Sequence, residues 1–89
     1  MPRVSIIMPA YNAAEFLAAS VSSVISQTFK DWELLIVNDG STDATAEIAG
    51  EFADSDSRIR VIYQENAGVS SARNKGISLS VGDFIAFLD

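Results

Sequence analysis

Apolar residues fall along this chain in short β-branched runs separated by ridges of helical spacing. Val4-Ser5-Ile6-Ile7-Met8 is the first run, and Pro9 is expected to end it because proline cannot donate to a sheet ladder. Asn12 followed three positions later by Glu15 reads as an asparagine capping box. It opens a helix on which Phe16, Leu17, Val21, Val24 and Ile25 recur at helical spacing as far as Gln27. Trp32 to Val37 predicts a buried second strand, with Phe29 and Trp32 read as core anchors between helix and strand.

The polar stretch Asp39-Gly40-Ser41-Thr42-Asp43 supplies a turn and candidate caps for a second helix, whose apolar face is Ala46, Ile48, Ala49, Phe52 and Ala53. Asp54-Ser55-Asp56-Ser57 ends that helix, and Arg60-Val61-Ile62-Tyr63 is the third strand. After a loop through Asn66-Ala67-Gly68, Ser70 or Ser71 is expected to cap a short third helix that Gly82 terminates. Phe84 to Leu88 is a fourth strand, too short and too aromatic for a helix of its own.

This β-α-β-α-β-α-β alternation predicts an α/β domain over residues 1–89. Its parallel sheet of about four strands is Rossmann-like, with helices on both faces, and the common half-Rossmann order 3-2-1-4 is the order expected for it. Ligands of such sheets bind beyond the carboxyl ends of the strands, where the strand order reverses. That point lies between strands one and four. Pro9-Ala10-Tyr11-Asn12, Asn38-Asp39-Gly40 and Asp89 therefore converge there, two carboxylates and a tyrosine among them. Asp39 suits a base or ribose, Asp89 a hard divalent cation, and Arg73 brings a planar fork of donors fitted to phosphate or carboxylate.

Composition narrows the chemistry. The formal net charge of −6 argues against a nucleic-acid surface, which needs clustered Lys and Arg. With no cysteine and no histidine, disulfides, zinc-thiolate sites and serine or cysteine triads are excluded. No glycine fingerprint Gly-x-Gly-x-x-Gly follows a strand, and no phosphate loop Gly-x-x-x-x-Gly-Lys-Ser/Thr is present, which weakens dinucleotide-dependent and phosphate-loop alternatives. The longest apolar run is far short of the ~20 residues of a membrane span. Cytoplasmic residence, at most peripheral to the inner face of a membrane, is the expectation.

Four blocks carry a resemblance. They are Val4 to Asn12, Glu33 to Asp43, Asn66 to Ile77 and Gly82 to Asp89, in that order and over most of the chain. Together they resemble the front half of family 2 glycosyltransferases of the GT-A fold. The resemblance implies that Pro9, Ala10 and Tyr11 touch base and ribose. It further implies that Asp39 binds the base, usually uracil, and that Arg73 helps hold the nucleotide, with Asn66 and Gly68 in the same site. Asp89 matches the first aspartate of the family's Asp-x-Asp signature, whose later aspartate ligates the Mn²⁺ or Mg²⁺ on the diphosphate, and Asp89 is the expected contribution of this chain to that metal site in the complete protein.

The implied reaction moves a sugar from a nucleotide-diphosphate donor, UDP-linked by expectation, to a hydroxyl of a saccharide or lipid-linked acceptor. The chain alone is expected to bind nucleotide without turnover, as a portion truncated where the metal motif begins. A non-catalytic nucleotide-binding or assembly module is the alternative. The uncharged strand 84–88 is further expected to recruit a second copy through its open edge.

Overall fold

The computed structural model describes residues 2–88, which build one parallel sheet in the order β3-β2-β1-β4. The elements are β1 (Val4–Ala10), α1 (Ala14–Ser26), β2 (Trp32–Asp39), α2 (Thr45–Ser55), β3 (Ile59–Gln64), α3 (Val69–Leu79) and β4 (Phe84–Phe87). The expected α/β class and strand order are both observed.

Side-chain alternation along the strands divides the core into two layers. On one face Met8, Ala10, Leu34, Ile36 and Ile59 meet Leu17, Val21 and Val24 of α1 and Ala49 of α2. On the other, α3 packs on β1 and β2, and Ala72 and Gly76 are its buried positions. Every residue of β2 is buried, as expected for the central strand of a doubly covered sheet. β4 lies at the sheet edge with all four residues exposed.

β1 does not stop at Met8. It runs through Pro9 and Ala10, which pair with Val37 and Asn38. The Val4 amide donates toward β2, so alternation turns the Pro9 nitrogen toward β4. Pairing there reaches only Ile7↔Phe87, and the missing N–H costs the ladder nothing. Phe29 is likewise not core, being 45% exposed, whereas Trp32 is 2% exposed as expected.

A buried polar knot fixes the approach to β4. Ser5 Oγ donates to Glu33 Oε2 at 2.5 Å, the Val81 amide donates to the same oxygen at 2.8 Å, and the Gly82 amide donates to Ser5 Oγ at 2.8 Å. A side chain on Gly82 would collide, since a Cβ there would lie 2.7 Å from Ser5 Oγ. One buried carboxylate thus secures the loop that lays β4 against β1.

Candidate functional site

The carboxyl ends of β1, β2 and β3 lie side by side because Ala10 pairs with Asn38 and Asp39 with Gln64. Beyond them opens a cleft of about 100 Å³ lined by Pro9, Ala10, Tyr11, Asp39, Val69 and Ala72. Four of the expected site residues, Pro9, Ala10, Tyr11 and Asp39, are thereby brought together.

Asp39 is buried, and its carboxylate is fully engaged. Oδ1 accepts from Gln64 Nε2 and from the Ala67 amide, both at 2.8 Å. Oδ2 accepts from the Gly68 amide at 3.0 Å and from Asn66 Nδ2 at 3.3 Å. The Gln64 amide above all holds this carboxyl below the usual carboxylate range, with burial opposing and the Ala67 and Gly68 amides adding to the lowering. Asn66 and Gly68 therefore stand at the site as donors to Asp39.

The β3–α3 loop is shaped for this. Gly68 adopts φ 100° as the N-cap of α3, so the helix starts at Val69, and neither Ser70 nor Ser71 caps it. The Ala67 and Gly68 amides, which lead into that helix, turn onto Asp39 of β2, and no side chain caps the helix itself. Gly40, at φ 70°, admits the loop closely: a Cβ there would sit 2.7 Å from the Asn66 nitrogen.

The turn bearing Tyr11 is locked from a distance as well. Asn12 does not cap α1; its φ is 49°, the N-cap is Ala13, and no side chain of its own segment caps the helix. Asn12 Oδ1 instead accepts from the Thr42 amide at 2.8 Å, and the Asn12 amide donates to Ser41 Oγ at 2.9 Å. The Ala13 amide donates to Thr45 Oγ1 at 2.9 Å, and the Ala14 amide to Asp43 Oδ2 at 3.2 Å. Asp43 also accepts from the Thr45 hydroxyl, the main reason its carboxyl is held below the usual range. The first turns of α1 and α2 are thus capped by one shared loop, with Asp43 facing two positive helix ends.

Tyr11 presents its ring at 54% exposure beside the cleft. Arg73, on α3 one residue past Ala72, holds its guanidinium 5.8 Å from the Phe87 ring centroid. Asp89 lies outside the described residues. Among the described residues no group of three Asp or Glu side chains gathers as a metal would require.

Gln64 and Ala67 were not foreseen at the site, nor was the reach of Ser41, Asp43 and Thr45 toward α1, although Asp43, a candidate cap of α2, does accept from the Thr45 amide at 2.9 Å. Gln64 carried one usable signal, its place at the end of the third apolar run, level with Asp39 in a parallel sheet. The loop acceptors Thr45 and Asp43 and the donor Ala67 carried none, because their partners lie about 30 residues away in sequence.

A larger cavity, about 330 Å³, opens at the opposite end of the strands beside Trp32, Lys30 and Arg58. Its cations already have structural partners. Arg58 stacks 3.9 Å from the Trp32 ring centroid and pairs with Asp56 at 2.8 Å, while the Lys30 ammonium donates to the Gln27 carbonyl at 2.7 Å.

A family model, Glycosyl transferase family 2, matches residues 5–89. Among curated relatives, the UDP-Glc:alpha-D-GlcNAc-diphosphoundecaprenol beta-1,3-glucosyltransferase WfgD of Escherichia coli is 51% identical over 87 residues, which cover 97% of this chain and 34% of WfgD. Among solved structures, residues 1–349 of Staphylococcus aureus TarS in complex with UDP-GlcNAc superpose with a TM-score of 0.90 at 27% identity, covering 98% of this chain and 26% of that one. The mannosyltransferase PcManGT of Pyrobaculum calidifontis, in complex with GDP-Man and Mn²⁺, shares the fold at a TM-score of 0.86 and 24% identity over 94% of this chain and 26% of its own. This chain spans 12% of one curated relative and 26% of another.

Proposed function

The chain belongs to glycosyl transferase family 2, and from that premise we propose that residues 1–89 hold the nucleotide of a nucleotide-diphosphate sugar. The observation that carries this is the cleft at the carboxyl ends of β1 and β2, where a buried carboxylate, Asp39, stands beside Pro9, Ala10 and the exposed ring of Tyr11. A carboxylate there accepts a ring N–H of a base, a tyrosine face stacks on the base or ribose, and the Arg73 guanidinium suits the diphosphate. WfgD, by its name a UDP-Glc-dependent enzyme, and TarS, solved with UDP-GlcNAc, support a uridine donor.

For the complete protein the proposal is transfer of the donor sugar to a hydroxyl of a saccharide or lipid-linked acceptor. The chain itself binds without turnover. Mn²⁺ or Mg²⁺ on the diphosphate belongs to the complete protein, with Asp89 as one ligand. A bound cation would neutralise the leaving diphosphate. Action in the cytoplasm or at the inner membrane face is part of the same proposal; no described helix is long and apolar enough to cross a membrane.

Calorimetry with UDP, GDP and CDP tests the reading, on the wild-type chain and on Asp39→Ala. Uridine diphosphate is expected to bind best and to lose most of its affinity in the variant. Equal binding of all three, no binding, or an unaffected variant would contradict the assignment.

A further inference from the structure

We propose that Asn66 is a placeholder for the nucleobase. In the free chain its side-chain amide occupies Asp39 Oδ2, and it yields that oxygen to the ring N–H of an incoming base while keeping its bond to the Asp39 main chain. The inference rests on the nucleotide reading above and adds the step by which a closed carboxylate becomes available.

A carboxylate offers about four acceptor positions. Gln64, Ala67, Asn66 and Gly68 fill four at Asp39. A base donor must therefore displace one of them. Ala67 and Gly68 donate through main-chain amides of the loop that enters α3, so releasing either would require the main chain itself to move. Gln64 donates at 2.8 Å from β3, which is fixed by its pairing with Asp39.

Asn66 differs in three respects. Its carboxylate contact, at 3.3 Å, is the longest of the four. Its residue is exposed, so a rotamer change meets little resistance. Its Nδ2 also donates to the Asp39 main-chain oxygen at 3.0 Å, so the amide keeps a partner when it leaves Oδ2. Gly40 meanwhile holds the Asn66 backbone close, which confines the motion to the side chain.

The exchange is one donor for one donor only with a base that carries a ring N–H. Uracil and guanine qualify. Cytosine and adenine would turn a ring-nitrogen lone pair toward the carboxylate, and that mismatch is worth roughly tenfold or more in affinity.

The test is a titration of the ¹⁵N-labelled chain with UDP, following the side-chain amide signals of Asn66 and Gln64. The Asn66 signals are expected to move while those of Gln64 stay. Asn66→Ala, with nothing to displace, should bind UDP more tightly than wild type, by up to about tenfold. Movement of the Gln64 signals with Asn66 fixed, movement of neither, or unchanged or weaker binding by Asn66→Ala while wild type binds through Asp39 would overturn the placeholder role and leave the nucleotide reading standing. No UDP binding by wild type would overturn that reading and the inference with it.

Discussion

A Cβ placed on Gly76 would lie 2.5 Å from Cγ2 of Ile7. Ile7 is branched at Cβ and fully buried in β1, so it cannot swing aside. The glycine is therefore what lets α3 lie directly on β1, and that contact brings Val69 and Ala72, two turns and one turn earlier, to the cleft.

Gly76→Ala should destabilise the chain by about 1–3 kcal/mol through overpacking. Alanine's helix preference of about 1 kcal/mol acts the other way and is outweighed. In an Ile7→Ala background the same change should be neutral or stabilising. Urea denaturation of the four chains of this cycle measures both effects, and a Gly76→Ala chain as stable as wild type would show that the helix can lift without cost.

Thr45 is buried, and its hydroxyl accepts from the Ala13 amide while donating to Asp43. Thr45→Val keeps the shape and removes both bonds, leaving a helix-start N–H without its acceptor. A loss of about 1–3 kcal/mol in thermal or urea unfolding is expected. Thr45→Ser, which keeps the hydroxyl, should recover most of it. Equal losses in the two variants would mean that the methyl group, and not the cap, matters.

Asp39 titrates below the usual carboxylate range when folded, so its contribution to stability is whole above about pH 4 and is lost as the pH falls through the lower folded value. Gln64→Leu removes the largest cause of the lowering. The acid limb of a plot of Tm against pH should then move to higher pH. An Asp39 carboxyl carbon that titrates at the same pH in both chains would contradict the role given to Gln64.

The described edge strand β4 exposes Phe84 at 57%, Ile85 at 42% and Phe87 at 48%. Unpaired apolar edges recruit other strands, and the chain is expected to form a dimer or small oligomer through β4. Light scattering should give more than the monomer mass for wild type and the monomer mass for Ile85→Lys. A monomeric wild type at high concentration, or an oligomer unaffected by Ile85→Lys, would contradict this.

The alternation of strands and helices was legible because each apolar run is short and β-branched and is separated from the next by helical spacing, whereas the order 3-2-1-4 rested on the common half-Rossmann pattern. What misled was the assumption that polar residues near a helix start serve that helix. Asn12 and Glu15 fit a capping box, yet the acceptors for α1 come from Ser41, Asp43 and Thr45. Ser70 and Ser71 fit caps for α3, whereas no side chain caps that helix and Asp39 of β2 holds the loop leading into it. Aspartate and serine patterns report that a helix end needs acceptors, and only the packing of the loops decides which ones supply them. Pro9 misled for a related reason, since the side to which its nitrogen points depends on strand register.

Nucleotide bound at the carboxyl ends of β1 and β2 should be visible in backbone amide shifts on titration with UDP. The largest changes are expected at Ala10, Tyr11, Gly40, Ala67, Gly68 and Arg73, with the Trp32 indole and Arg58 at the opposite end of the sheet unmoved. Changes centred on Trp32 and Arg58 instead would place the ligand in the larger cavity and contradict the claim.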